Sequence, residues 1–167
     1  PALAQRNYYV SGAGSDASNG TSPQSPKRNP RSLGDRLNPG DTVFYMNGTY
    51  EPSSVQEGPL MIIRSGTPSA YITHINYPNH TPVFYNCGNR AIEVRNAASY
   101  VNIVGLTVRQ QPGCPNPAGD PGMGNHFRGN GIHVGYSTIN PFRGDGDPSH
   151  HVNILRCDVK GMRGAGI

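Results

Sequence analysis

The segment Tyr100-Val-Asn-Ile-Val-Gly-Leu-Thr-Val108 returns in nearly the same pattern as His151-Val-Asn-Ile-Leu-Arg-Cys-Asp-Val159. A second matched pair lies upstream of the two copies, Ala91-Ile-Glu-Val94 and Gly131-Ile-His-Val134, and a third copy begins at Gly166-Ile167. A repeat unit that cannot bury its apolar face alone has to stack on a neighbour. Two strand-like segments that recur in the same order therefore predict coils laid one on another.

Apolar and polar residues alternate within each segment, which places one set of side chains inside the coils. The predicted inward residues are Ile92, Val94, Val101, Ile103, Leu106 and Val108 in the first copy, and Ile132, Val134, Val152, Ile154, Cys157 and Val159 in the second. No segment after residue 40 has a convincing helical period. The repeat favours an all-β solenoid, specifically a parallel β-helix, over a sandwich, whose strands do not recur as aligned pairs.

The first 41 residues lie outside the repeat. Pro1-Ala-Leu-Ala4 resembles the tail of a secretory signal peptide and predicts a secreted, extracellular protein. Residues 5–41 are interpreted as a short strand at Tyr8–Val10, a loop rich in Gly, Ser, Asn and Pro, and a short capping helix over Pro30–Leu37. The coils would occupy residues 42–167, where the solenoid is truncated or continued by another segment.

The 167 residues suffice for one domain with a real core, and 22 glycines and 16 prolines indicate many turns between short strands. No apolar run approaches the ~18–20 residues that span a bilayer. The net charge of +4 favours acidic polymers as partners. Nucleic acid is disfavoured, because the basic residues are scattered and form no stripe along a helix.

Three cysteines allow at most one internal disulfide, and their spacing fits no zinc motif. Cys87 with Cys114 is the one pairing that we consider, because Cys157 replaces Leu106 in the repeat and should point inward. Sequons that permit glycosylation in a eukaryotic host lie at Asn19, Asn47 and Asn79.

Motifs along nearly the whole chain carry a resemblance to a known family. They are Tyr8-Tyr-Val-Ser11, Gly14-Ser-Asp16, Gly20-Thr-Ser-Pro23 and Ser25-Pro26 in the opening, Leu37-Asn-Pro-Gly-Asp-Thr-Val43 and Gly48-Thr-Tyr50 in the cap and first coil, and Ala91–Val94 and Val101–Val108 in the later coils. This pattern resembles secreted right-handed parallel β-helix proteins of the pectate-lyase-like superfamily, especially polysaccharide lyases. The resemblance implies β-elimination on an acidic polysaccharide, often with calcium. It also implies that the catalytic coils follow residue 167, because their carboxylate cluster and basic residue have no match here.

β-Elimination on a uronate requires a group that neutralises the carboxylate, a base for the C5 proton, and an acid or solvent for the leaving oxygen. Glu93 and His133 fall on equivalent outward positions of adjacent coils and are predicted as a base and its partner. Arg109 and Lys160 are likewise equivalent and predict a basic stripe that faces a uronate. A surface contact in the first case and a solvated strand edge in the second are the alternative interpretations.

Calcium prefers oxygen-rich, flexible loops, and Arg143-Gly-Asp-Gly-Asp147 supplies Asp145 and Asp147 as candidate ligands. A plain polar turn is the alternative interpretation of this loop. His150 and His151 are neighbours, so in a strand they would face opposite sides and would not easily bind one metal ion together.

Two functions from different classes are consistent with these observations. The first is a secreted, carbohydrate-associated β-helix that acts on an acidic polysaccharide or cell-wall glycan, as a lyase-like enzyme if the protein continues beyond residue 167. The alternative is a non-catalytic structural or adhesive β-helix that self-associates end to end into extracellular filaments through its open coil. The nine tyrosines add a third possibility, a non-catalytic carbohydrate-binding module in which exposed rings stack on sugars.

Overall fold

The computed structural model describes residues 4–52, 57–88, 90–113, 129–135, 148–162 and 164–167. Within these residues the chain forms 12 β-strands and one short 3-10 helix, Pro30–Leu33. The strands are β1 Asn7–Val10, β2 Thr42–Tyr45, β3 Gly48–Tyr50, β4 Leu60–Ile62, β5 Ile72–Asn76, β6 Pro82–Asn86, β7 Arg90–Val94, β8 Val101–Val104, β9 Thr107–Gln110, β10 Asn130–Val134, β11 Val152–Leu155 and β12 Asp158–Lys160.

The strands pair into three sheets, and every pair is parallel. Sheet A has the order β1-β2-β5-β8-β11, sheet B has β3-β6-β9-β12, and sheet C has β4-β7-β10. The chain visits A, B and C in turn, so β2-β3-β4, β5-β6-β7 and β8-β9-β10 are three successive coils, and β11-β12 begin a fourth. This winding is a parallel β-helix and confirms the predicted all-β fold.

Residues at equivalent positions of the sequence repeat are register partners on adjacent strands. Ile132 pairs with Ile92 in sheet C, and Val152 pairs with Val101 in sheet A. The equivalence includes one turn of the backbone, because Gly105 and Arg156 both have left-handed φ angles, 64° and 54°. Each coil therefore repeats the path of the coil below it.

Inward aliphatic side chains form continuous ladders between the sheets. Leu60, Ile92 and Ile132 form one such ladder, and each of them is at most 2% exposed. At full burial a side chain of this size contributes ~1.5–3 kcal/mol relative to exposure, which makes the ladders the main source of stability. The predicted inward residue Val134 is 39% exposed, because no described strand covers its far side.

The predicted capping helix over Pro30–Leu37 is wrong, since the described residues contain one turn of 3-10 helix instead. Asn29 caps this turn by accepting a hydrogen bond from the Arg31 backbone N–H, and Pro30 occupies its first position. Gly34 follows and donates its backbone N–H to the Arg31 carbonyl, and the 3-10 helix ends at Leu33. Leu33 and Leu37 are nevertheless buried in the core cluster.

The loop between β1 and the 3-10 helix covers the outer edge of sheet A. The backbone N–H of Lys27 donates to Tyr9 at 2.9 Å, and Ser11 donates to Lys27 at 2.9 Å. The N–H of Tyr9 donates to Gly20 at 2.7 Å. These bonds satisfy the edge groups of β1 that would otherwise be free to pair with another chain.

His74 is a titratable side chain that lies inside the core. His74 is 3% exposed, and its Nδ1 lies 2.8 Å from the hydroxyl of Tyr45, whose ring stacks on the imidazole. Nε2 of His74 has no hydrogen-bond partner among the described residues. Burial lowers the pKa of His74 to about 3, because the charged form would lose its hydration without gaining a counter-ion.

Cys87 is disulfide-bonded, and Cys157 is a free, half-buried thiol that packs against the core. Cys114 lies outside the described residues, so its pairing with Cys87 stays a prediction. Residues 1–3 of the predicted signal-peptide tail lie outside them as well. Among the described residues we find no helix with the length and hydrophobicity required to cross a bilayer.

Replacing Ile92 by alanine removes the middle of a buried ladder and leaves a cavity. We expect the free energy of unfolding to fall by about 3 kcal/mol. The matched control is Leu155→Ala, where the side chain is 51% exposed and the loss should stay within about 0.5 kcal/mol. Urea unfolding followed by circular dichroism measures both changes, and equal losses in the two variants would contradict the ladder as the source of stability.

His74 makes folding stability depend on pH. Its folded pKa lies below the unfolded value, so as the pH falls the unfolded chain takes up the proton first and stability is lost. The loss begins near the unfolded pKa of ~6.5 and reaches about 2 kcal/mol by roughly pH 5. The control is His74→Asn, which can still accept from Tyr45 but does not titrate. Its stability should fall less between neutral pH and pH 5, whereas identical pH profiles would refute the assignment.

Candidate functional site

From β2 onward, the two longest connections between strands join the two ends of β10. Residues 111–129 lead from β9 into β10, and residues 135–151 lead from β10 to β11. One coil earlier, the same connections need only residues 87–89 and 95–100. Insertions in solenoid repeats commonly line the binding face, so we expect a site on the outer face of sheet C.

Four polar side chains cluster on and beside β7 and β10, and we call Arg90, Glu93, Arg95 and His133 the sheet C cluster. Glu93 and His133 are register partners on adjacent strands, as predicted. The Glu93 carboxylate accepts from Nη1 of Arg90 at 2.7 Å and lies 3.8 Å from Nη1 of Arg95. Its side chain is only 12% exposed, so the carboxylate is held between two guanidinium groups.

The cluster retains polar atoms that its own contacts do not satisfy. Nε of Arg90, Nε of Arg95 and Nδ1 of His133 are buried and have no hydrogen-bond partner among the described residues. Unsatisfied buried polar atoms cost stability and are rare in native proteins. Their coincidence on one sheet face is what distinguishes this cluster from an ordinary surface ion pair.

His133 is a neutral imidazole at neutral pH. Burial lowers its pKa, the nearby Arg90 guanidinium lowers it further, and the Glu93 carboxylate opposes both effects. The ring lies close to Gly135, where an added Cβ would come within 2.6 Å of the imidazole Cε1. Only glycine therefore leaves room for the ring in this position.

The cluster carries a net positive charge, because two guanidinium groups face one carboxylate and the imidazole is neutral. Guanidinium N–H groups bind carboxylates, and a neutral imidazole accepts protons. Glu93 is less suited to act as a base, since its oxygens are already paired with Arg90 and Arg95. The arrangement can bind an anion and take up a proton.

Sequence reasoning missed Arg90 and Arg95, although one signal was available. Arg95 lies two residues after Glu93, and the alternation of a strand places residues at that spacing on one face. Arg90 lies three residues before Glu93, where only its long side chain brings its charge back to the carboxylate. The catalytic roles of Glu93 and His133 stay predictions.

A carboxylate lies between the two cations of the predicted basic stripe on sheet B, so this stripe has the same balance of two cations and one carboxylate as the sheet C cluster. Arg109 and Lys160 are register partners, as expected, but Asp158 lies 2.6 Å from Arg109 Nη2 and 3.2 Å from Lys160 Nζ. The hydrogen bond from Arg109 lowers the pKa of Asp158, so this carboxylate stays ionised. Arg109 also donates to the backbone carbonyls of Val108 and Asp158, which makes it a structural link between coils.

An open cleft of about 740 Å³ lies between the N-terminal loop and the first coil. Its walls carry both signs of charge, with Arg28 and Arg31 opposed by Asp16 and Glu51. Such a mixed lining does not select an anionic ligand by charge. We therefore place the candidate site on sheet C and not in this cleft.

The predicted calcium ligands Asp145 and Asp147 lie outside the described residues. Within the described ranges, no three His, Cys, Asp or Glu side chains are grouped closely enough to hold a metal ion. The sequon residues Asn19, Asn47 and Asn79 are all exposed, as an acceptor site requires. Modification at these positions stays a prediction.

No family model matches the chain, and no curated protein matches its sequence. Solved structures do resemble it. The native GH136 lacto-N-biosidase from Eubacterium ramulus has a TM-score of 0.66 at 16% identity over 96% of this chain. Pectate lyase Pel9A has a TM-score of 0.52 at 23% identity over 63% of the chain, and a rhamnogalacturonan lyase has 0.51 at 21% over 62%.

The chain spans 28% of the length of each of these proteins. At these identities the likeness concerns the fold and carries no catalytic residue across. Together with the three parallel sheets, it shows that the chain has a pectate-lyase-like parallel β-helix fold.

Proposed function

We propose that this chain is the N-terminal part of a secreted, right-handed β-helix protein that binds an acidic polysaccharide on the outer face of sheet C and cleaves it by β-elimination. The observation that carries the proposal is the sheet C cluster, in which two partly exposed guanidinium groups lie beside a neutral histidine. The fold supports it, since the neighbours named as a pectate lyase, a rhamnogalacturonan lyase and a lacto-N-biosidase all act on saccharides.

Binding would rest on the arginines. The side chains of Arg90 and Arg95 are 28% and 26% exposed, and both contact Glu93. These contacts orient both guanidinium groups before a ligand arrives. A uronate carboxylate is planar and accepts two parallel hydrogen bonds from such a group. The partly buried setting strengthens this attraction relative to water.

Elimination would add a proton transfer at His133. A guanidinium that neutralises the uronate carboxylate makes the C5 proton more acidic, and the neutral imidazole takes that proton at Nε2, because Nδ1 is buried. The electron pair of the C5–H bond forms the C4–C5 double bond, the bond from C4 to the leaving oxygen breaks, and solvent protonates that oxygen. Coils beyond residue 167 would complete the groove.

Several features of the proposal rest on the sequence. Secretion rests on Pro1–Ala4, and glycosylation on the exposed asparagines at positions 19, 47 and 79. Right-handed winding is the nearly universal hand of parallel crossovers in one sheet. We keep Asp145 and Asp147 as calcium ligands; a bound ion would supply further positive charge, and no step above depends on it.

Affinity electrophoresis of the purified chain in gels with polygalacturonate tests the binding step. We expect retardation in this gel but not in one with a neutral galactan. Arg95→Met should weaken binding at least tenfold, which corresponds to about 1.4 kcal/mol. Arg109→Met is the matched control, since Arg109 is also half-buried and ion-paired but lies on sheet B. Equal retardation in both gels, or equal loss in both variants, would contradict the site.

The pKa of His133 reports on the same cluster. Glu93→Gln removes the carboxylate that raises this pKa and should lower it further, whereas Arg90→Met removes a cation and should raise it. An NMR titration that follows the chemical shifts of the imidazole protons measures the pKa of His133 in both variants. Asp158→Asn on sheet B is the control and should leave the His133 titration unchanged. Shifts of the same sign in both cluster variants would refute the proposed electrostatics.

His133→Gln separates elimination from binding. This variant should bind polygalacturonate as the unmodified chain does, yet form no unsaturated uronate, a product detected by its ultraviolet absorbance. Binding without any unsaturated product from a protein that includes the coils proposed beyond residue 167 would leave a saccharide-binding protein and remove the lyase assignment.

The alternative function is a self-associating structural β-helix. The stacked parallel strands support it, because a strand at the end of a solenoid can pair with a strand of another copy. Sedimentation and electron microscopy of the purified chain distinguish the two functions: filaments without saccharide binding would replace the first proposal by the second.

A further inference from the structure

Two neighbouring histidines share one side of the connection that leads into β11. Nδ1 of His150 lies 2.6 Å from Nδ1 of His151, and both side chains are exposed. The expectation that they face opposite sides is wrong, because it assumed extended backbone. His151 has a φ of 52°, a left-handed conformation that turns its ring to the side of its neighbour.

The coil below fixes both positions. The backbone N–H of His150 donates to Ser99 Oγ at 3.1 Å. The carbonyls of His150 and His151 accept from the N–H groups of Tyr100 and Val101 at 3.2 and 3.1 Å. The His151 ring also stacks on Tyr100, with ring centroids 4.7 Å apart. The two imidazoles are therefore pre-positioned, which reduces the entropy cost of joining them through a ligand.

We propose that His150 and His151 form a binding site for one divalent transition-metal ion of the Zn²⁺ type, held by the two Nδ1 atoms with solvent in the remaining positions. Imidazole nitrogen is a preferred ligand of such ions. At a zinc–nitrogen distance of ~2.0–2.1 Å, tetrahedral geometry separates two ligand nitrogens by ~3.3 Å. The observed pair has to open by less than 1 Å, which rotation of exposed rings allows.

Without a metal ion, a hydrogen bond between the two rings accounts for their short separation. Two neutral imidazoles at this distance are joined by one Nδ1–H donating to the other Nδ1. Metal binding replaces this bond, and both rings then carry their proton on Nε2. The site shares no residue with the sheet C cluster, so it stands whether or not the chain binds a saccharide.

The probe is Zn²⁺ itself, titrated into the purified chain by calorimetry. We expect one strong equivalent, and His150→Asn or His151→Asn should weaken it by about 10²-fold, since the second ligand no longer binds within the same molecule. His133→Gln is the control, because it removes a histidine from another surface and should leave the affinity unchanged. His150→Asn keeps the stack of Tyr100 on His151, so the site can be tested without disturbing that contact.

Two spectroscopic measurements make the test independent of the variants. Nitrogen-15 NMR of the imidazoles should show Zn²⁺ on Nδ1 of both rings. Co²⁺ substitution should give visible absorption without a thiolate charge-transfer band, which would instead indicate the free Cys157. Absence of Zn²⁺ binding, binding that survives both asparagine variants, or a band lost in Cys157→Ser would overturn the proposal.

Discussion

The pairing of each strand with its equivalent in the next coil is the constraint on which the rest of the structure depends. Parallel hydrogen bonding fixes the register, so a side chain at one position faces its counterpart one coil away. Ile92 lies beside Ile132 and Leu60 for this reason, and the interior becomes a set of ladders. A polar residue inside must then find its partner among the side chains of its own or an adjacent coil, as His74 does with Tyr45 of the preceding coil.

The same constraint stacks side chains on the outer faces, where charges have to be balanced. Arg109 and Lys160 are brought together by the register, and Asp158 keeps them from repelling each other. Glu93 has the corresponding role between Arg90 and Arg95. The difference is that sheet C carries the neutral His133 beside its arginines, and that the two longest connections from β2 onward join the ends of β10. Sheet C therefore combines positive charge with a proton acceptor.

Periodicity predicted the parts of the fold that repeat. The inward set, the pairing of Ile92 with Ile132 and that of Val101 with Val152 all follow from alternation and alignment. The capping helix was wrong because the helical segment stops after one 3-10 turn at Leu33, although Leu33 and the later Leu37 both reach the core. The histidine pair was misjudged because a sequence does not display the φ angle of His151.

The candidate site was predicted only in part, for a related reason. Alignment of the two copies compares positions between coils, and it found Glu93 with His133 and Arg109 with Lys160. It did not examine charges along a single strand, which is where Arg95 and Asp158 lie. Long side chains such as Arg90 also reach beyond the spacing that alternation describes. The geometry of the cluster therefore required coordinates.

The loop along β1 makes the two ends of the solenoid different. One end of the solenoid is closed by this loop and by the buried leucines below it, so strand addition can proceed from the other end alone. During synthesis the closed end leaves the ribosome before the later coils, so each of these coils meets a completed template. Growth from a fixed start would protect a molecule of similar layers against misassembly, because a slipped coil would leave the template below it uncovered.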